Sequence, residues 1–199
     1  MSILRHTLKQ ISLEKKSKLH YLELGVAEYE NKGDNFYSVE GFASKTSVDS
    51  VNPDVDFQML TEEFFVQNKK KYDIIYIDAG HELHNVVNDY NHCIDILTEK
   101  GVVFIHDLYP PTRMLSSCQY CCDGYKLLNY LNEQPIFKKE KLISCLSDVG
   151  STLILKPTHK VNLNDIEDIS WDELEEKSVK WGTKVETYPE VVEVFNQWI

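Results

Sequence analysis

Residues 72–105 constrain the fold more than any other part of the chain. Tyr72–Ile77 (YDIIYI) is apolar at nearly every position, the composition of a strand buried on both faces. Leu83, Val86, Val87, Tyr90, Cys93, Ile94 and Leu97 then recur with the i, i+3, i+4, i+7 spacing of an amphipathic helix. Lys100-Gly101 is a helix-stop signal, and Val102–Ile105 has buried-strand composition again. Two such strands joined by a helix make a parallel β-α-β unit. A sheet covered by helices on both faces is the architecture that accommodates it.

The flanking segments extend the alternation. Ile3, Leu4, Thr7, Leu8 and Ile11 share one helical face, and Leu19–Gly25 (LHYLELG) is a short strand stopped by glycine. Asn35–Ala43 reads as a short helix weakened by Gly41, and Thr46–Asp49 and Asp56–Leu60 read as small strands. Thr61 is placed to cap a helix over Glu62–Lys70. Beyond a Pro-Pro and cysteine-rich loop, Tyr125–Leu131 is helical in pattern. Lys141–Leu146 and Ser151–Leu155 flank the turn sequence Ser147-Asp148-Val149-Gly150. The expected fold is a Rossmann-like doubly wound sheet of about seven strands, mostly parallel with one antiparallel strand. It spans residues 1–157. Residues 158–199 form an acidic, partly helical extension that carries all three tryptophans.

Charge narrows the function. Lys plus Arg number 21 against 32 Asp plus Glu, a net charge of −11, which weighs against a large nucleic-acid footprint. No apolar run reaches the roughly 18–20 residues of a membrane span, and the N-terminus lacks a signal peptide's apolar core. A soluble, cytoplasmic protein is expected. Five cysteines, an odd number, in a chain of this length read as reduced thiols. The Cys118-x-x-Cys121 pair has no second Cys/His pair at zinc-ligand spacing.

In an open α/β sheet, ligands bind beyond the carboxyl ends of the strands. Four predicted strands deliver acids to that edge: Glu23 just before Gly25, Asp49, Asp78, and Asp107 after His106. An acid at the end of a second parallel strand suits ribose hydroxyls, since a carboxylate accepts two hydrogen bonds. The loop after Gly25 is not Gly-x-Gly-x-x-Gly, and Glu28 and Glu30 would repel phosphate. A nucleoside cofactor without phosphates is favoured over a dinucleotide.

The segments YLELGV, GDNF, TSVDS, DFQMLTEEFF and YDIIYIDAGH…VVNDYNHCIDILTEKGVVFIHDLYPP resemble the class I S-adenosylmethionine-dependent methyltransferases. The small bacterial and viral type, with an IDG-x-H loop and a strand ending in His-Asp, is the most similar branch. The resemblance covers residues 19 to about 157 and is most specific from Tyr72 to Pro110. It implies S-adenosylmethionine as cofactor. Glu23 and Gly25 would lie at its methionine part, Asp49 at its ribose, Thr61 and Glu62 at its adenine, and Asp78 near the methyl donor. In sugar hydroxyl methyltransferases of this group, acids like Asp78 and Asp107 hold a divalent ion, here magnesium by donor chemistry.

The chain departs from the family pattern in its longer loop after Gly25, in IDAGH for IDG-x-H, and in Lys100-Gly101 for Gly-Gly. The expected activity is methyl transfer to an oxygen, a sugar hydroxyl among the candidates, of a small or glycan-linked acceptor. His81 is the candidate base, with Asp78 beside it. His106 reads as a hydrogen-bonded core residue, and His84 and Asp89 as solvent-facing. A homo-oligomer is compatible with the tail. A non-catalytic methyltransferase-like binding protein and another nucleotide-dependent α/β enzyme remain as alternatives.

Overall fold

Strand β4 (Tyr72–Ile77) is buried at every position except Asp73 and lies at the middle of the sheet, between β1 (His20–Leu24) and β5 (Leu97–Ile105). The structure, a computed structural model, describes residues 3–26, 35–137, 142–145, 150–181, 184–185 and 188–198. The glycine loop's Glu28 and Glu30 and most of the turn at 147–150 fall outside them.

Outward from β1 come β2 (Ser44–Asp49) and the two-residue β3 (Phe57–Gln58). Beyond β5 lie β7 (Thr152–Leu155), β6 (Leu142–Cys145) and a two-residue β8 (Lys184–Val185). The order is β3-β2-β1-β4-β5-β7-β6-β8. Among the described residues, only β7 runs against its neighbours, pairing antiparallel with both β5 and β6. The mostly parallel Rossmann-like sheet with one antiparallel strand is therefore present; its eighth strand, β8, comes from the C-terminal extension.

Side chains alternate across the sheet as strand geometry requires. Leu22, Leu24, Ile75, Ile77, Val103 and Ile105 face one core, with Phe64, Val87, Tyr90, Leu127 and Leu174. After α1 (Ile3–Gln10), α2 (Leu13–Lys16) and α3 (Asn35–Ser38), the helices on that side are α4 (Thr61–Gln67), α5 (Leu83–Ile96), α6 (Tyr125–Glu133) and α7 (Trp171–Ser178). Tyr21, Ile74, Tyr76, Val102 and Phe104 face the other core, with Leu8 and Ile11. Val191 and Phe195 of the last helix (Tyr188–Trp198) complete that face, the Phe195 ring lying 5.7 Å from Phe104. Residues after 157 thus fill both layers. Trp171 donates to the Pro110 carbonyl (3.0 Å) and Trp181 to Glu133 (3.3 Å), so both serve as packing anchors.

Element ends differ from the sequence pattern where side chains intervene. Helix α4 begins at Thr61 rather than being capped by it, and it stops at Gln67. There Asn68 hydrogen-bonds both the N–H and the C=O of Lys70, drawing the chain out of the helix. Helix α5 stops at Ile96, short of Lys100-Gly101, because Leu97 already pairs with Tyr72 in the sheet. The short helix expected over Asn35–Ala43 covers only Asn35–Ser38, and Gly41 follows at φ +91°.

Candidate active site

The chain builds β1, β2 and β3 outward, then returns to β4 on the other side of β1. A crevice opens beyond the strand ends at this reversal. It is a cleft of about 530 Å³. Its wall takes Gly25 and Val26 after β1, residues 48–52 around the end of β2, and Met59–Thr61 between β3 and α4. Asp78–Gly80 after β4, with Asn85 and Asp89 of α5, complete it.

Two features at the strand ends give the cleft its shape. Gly25 sits at φ +82° with its N–H on Val48 O, while Asp78 N–H binds Leu24 O. A Cβ at Gly25 would lie 2.0 Å from the Asp78 carbonyl oxygen, so only glycine lets the two strand ends approach so closely. Asp49 organises the adjoining loop. Its Oδ1 accepts from Val51 N (2.7 Å) and Asn52 N (2.8 Å), and its Oδ2 from Val26 N (3.1 Å). The carboxylate therefore ties the β1 and β2 loops together at the cleft wall.

Past Asp78 the cleft meets a cluster of two acids and two imidazoles. His81 Nε2 lies 3.4 Å from Asp78 Oδ1, and His81 Nδ1 lies 3.1 Å from both Asp107 Oδ2 and the Tyr120 carbonyl. His106 Nδ1 stands 3.1 Å from Asp78 Oδ1 and 3.1 Å from Asp107 Oδ1. Burial pushes the Asp78 carboxyl up, but the two imidazoles outweigh it and hold its pKa below the usual range. The Asp78 carboxylate raises the pKa of His81, against the opposing effect of burial. Asp107 adopts φ +60°, a left-handed backbone uncommon in non-glycine residues and held most readily by asparagine and aspartate.

A metal ion suits this cluster. Ligand atoms of Asp78, His81 and Asp107 lie within 4.8 Å of one another. His81 Nε2 and Asp107 Oδ1 are buried without a well-formed hydrogen bond among the described residues. A cation held by Asp78 and Asp107 would satisfy the Asp107 oxygen, and the two carboxylates supply the hard oxygens that magnesium prefers.

The cysteine-rich loop folds over the cluster and positions it. The Tyr120 carbonyl receives His81 Nδ1, and the buried Cys121 thiol bonds Asp107. Burial first, then Asp107, pushes that thiol's pKa up to about 12, so Cys121 is a neutral donor. Asp123 accepts from Leu83 N (2.7 Å), capping α5, whose own N-cap residue, Glu82, makes no side-chain cap.

The structure brings together Gly25, Asp49, Thr61 and Asp78 at the cleft, and Asp78, His81 and Asp107 in the cluster. Glu23 and Glu62 stand apart from the cleft lining. Glu23 points to the opposite sheet face, where it accepts from Tyr21 OH, and Glu62 is exposed. The sequence pattern missed His106, which joins the cluster just past β5 rather than lying within it.

It also missed Asp89, expected to face solvent but 1% exposed. Helix α4 docks over that side of α5, and Thr61 Oγ1 donates to Asp89 Oδ1 at 2.7 Å. Burial raises the Asp89 pKa to about 6, the Thr61 hydroxyl opposing it. Between about pH 4 and 6 the folded chain therefore retains a proton that the unfolded chain has released. Stability from this group falls as pH rises through that window, by about 3 kcal/mol. Urea midpoints across pH 4–7 should show Asp89→Asn gaining on wild type as pH rises. A constant difference would refute the assignment.

Comparisons with known proteins bear on the fold around this site. Residues 20–108 match the family model of a methyltransferase domain. No curated protein matches the chain in sequence. Among solved structures, cofactor-bound Rv0187 from MTB aligns with TM-score 0.53 at 12% identity, over 77% of this chain and 78% of that one. The SAH-bound methyltransferase PaMTH1 of Podospora anserina aligns with TM-score 0.51 at 13% identity, over 78% and 76%. These likenesses support the fold, and no described helix is long and apolar enough to cross a membrane. The family match lies across β1–β5 and the strand ends that line the cleft.

Proposed function

We propose that the chain methylates a hydroxyl oxygen of a small or glycan-linked acceptor, a sugar hydroxyl being the favoured class, with a divalent ion at Asp78 and Asp107. One observation carries this reading: Asp78 belongs both to the cleft wall and to the acid–imidazole cluster, so donor and proton acceptor meet at one residue. Hydroxyls need their proton removed during transfer, and the cluster is equipped for that.

S-adenosylmethionine supplies a methyl group on a sulfonium, open to in-line displacement. Much of the acceleration in such a reaction comes from alignment of the two partners, which falls here to the cleft and to Asp78. The Tyr120 carbonyl holds the His81 Nδ1 proton, leaving the Nε2 lone pair to receive the proton of the acceptor hydroxyl. The Asp78 carboxylate then stabilises the imidazolium from 3.4 Å. A divalent ion, when bound, would lower the hydroxyl's pKa.

The test supplies methyl-labelled S-adenosylmethionine with a panel of glycosides, phenols and amines, before and after chelation. Label in an alkali-stable ether, lost with chelator and restored by magnesium, is expected. Asp107→Asn should lose the magnesium response while still binding S-adenosylhomocysteine. Labelling of amines alone, or activity indifferent to chelator, would overturn the oxygen or the metal assignment respectively.

A further inference from the structure

The loop between β5 and α6 carries Cys118, Cys121 and Cys122, and methyl transfer uses none of their sulfurs as a reacting atom. Cys118 is exposed, whereas Cys121 and Cys122 are buried. Backbone hydrogen bonds fold the loop back on itself. The Ser117 carbonyl accepts from both Tyr120 N (2.9 Å) and Cys122 N (3.0 Å), and Cys122 completes the reversal at φ +53°. The turn brings the two ends of Cys118-x-x-x-Cys122 together, and the Cys122 thiol donates a hydrogen bond to the Cys118 sulfur. Burial first, then that bond, pushes the Cys122 pKa up to about 12, so its proton stays on sulfur. Cys121 is engaged elsewhere, its thiol bonding Asp107. The pair is therefore asymmetric, with one accessible sulfur in contact with one buried thiol. An exposed attacking thiol beside a buried resolving one is what thiol–disulfide exchange requires.

We propose that Cys118 and Cys122 form a redox switch, a reversible disulfide that disarms the acid–imidazole cluster. The residues enclosed between the two sulfurs are Gln119, Tyr120 and Cys121. Two of these supply the loop's contacts to the cluster: the Tyr120 carbonyl on His81 Nδ1 (3.1 Å) and the Cys121 thiol on Asp107. Just beyond Cys122 the chain is pinned, because Asp123 accepts from Leu83 N (2.7 Å) at the start of α5. Closing the ring thus draws Cys118 onto Cys122, and Tyr120 and Cys121 take up the movement. His81 loses its orienting carbonyl and Asp107 its thiol donor. The oxidant is a small-molecule disulfide. The Cys118 thiolate attacks one of its sulfurs and expels the other as a thiolate. Cys122 then gives its proton to solvent, attacks the Cys118 sulfur and expels the second thiolate. Two cysteine thiols become one disulfide, one small-molecule disulfide becomes two thiols, and both protons pass through solvent to the leaving groups. Only the effect on turnover rests on the methyltransferase reading above.

The experiment treats the full chain with glutathione disulfide and removes the reagent. Alkylation with mass spectrometry then counts thiols, and proton–nitrogen NMR follows the His81 ring. Wild type should lose two of its five thiols, keep no glutathione and carry a Cys118–Cys122 bond. The His81 signals should shift, and dithiothreitol should reverse both changes. Turnover should fall by up to about 100-fold, the effect of a small misplacement of a catalytic group. Cys122→Ser should stop at the glutathione adduct on Cys118. Cys118→Ser changes an exposed side chain outside the cluster, and should keep the reduced-state turnover while losing every response to the oxidant. A wild-type chain that keeps all its thiols, stops at the adduct or bonds Cys118 to Cys121 overturns the pair. A Cys118–Cys122 bond that leaves the His81 signals unmoved overturns the switch. Absence of turnover in the reduced chain would overturn the methyltransferase reading alone, with the His81 signals still deciding the switch.

Discussion

Gly25→Ala is expected to destabilise the protein by more than about 3 kcal/mol and to abolish S-adenosylhomocysteine binding. The left-handed backbone at φ +82° contributes about 1–2 kcal/mol of that. The larger share comes from the Cβ, which would stand 2.0 Å from Asp78 O and 2.4 Å from Asp78 C. Both are backbone atoms at the end of a central strand and have no rotamer through which to withdraw. Relief therefore requires β1 and β4 to separate at their carboxyl ends, which is where the cleft lies. Gly41 provides the control. It has a similar φ of +91°, but a Cβ there meets Leu13 Cδ1, the tip of an exposed side chain. Gly41→Ala should cost only about 1–2 kcal/mol and leave ligand affinity intact. Urea midpoints and calorimetry on both variants decide it, and equal losses would show that backbone conformation, not the β1–β4 approach, governs position 25.

His81→Ala should lower turnover by about 10²- to 10⁴-fold, the contribution of a positioned general base. S-adenosylhomocysteine affinity should stay within about threefold, because His81 does not line the cleft. The apparent magnesium affinity should also hold if the two carboxylates are the principal ligands. Loss of the magnesium response with retained cofactor binding would instead make His81 a ligand. A matching loss of cofactor affinity would make it a structural support for the loop through the Tyr120 carbonyl.

Several parts of the site are legible in the amino-acid sequence. Strand periodicity located the ends of β1, β2, β4 and β5, and at those ends Gly25, Asp49, Asp78 and Asp107 could be read directly. Strand ends are local features, set by composition along a few residues. Asp89 illustrates what escaped such reading. On α5 it occupies the side that periodicity assigns to solvent, and its burial arises only because α4 docks across it with Thr61. Helix α5 likewise starts on a cap borrowed from Asp123, 40 residues along the chain. No local pattern announces either contact.

From residues alone came the doubly wound sheet, its reversed strand, and the edge to which the acids are delivered, because alternation and helical period depend on near neighbours. The tertiary structure decided which acids do chemistry together. Asp78 and Asp107 share a cluster because β4 and β5 are adjacent and in register. Glu23 departs to the opposite face because side chains alternate along β1. His81 is oriented by a carbonyl 39 residues away, a contact that no local pattern reveals.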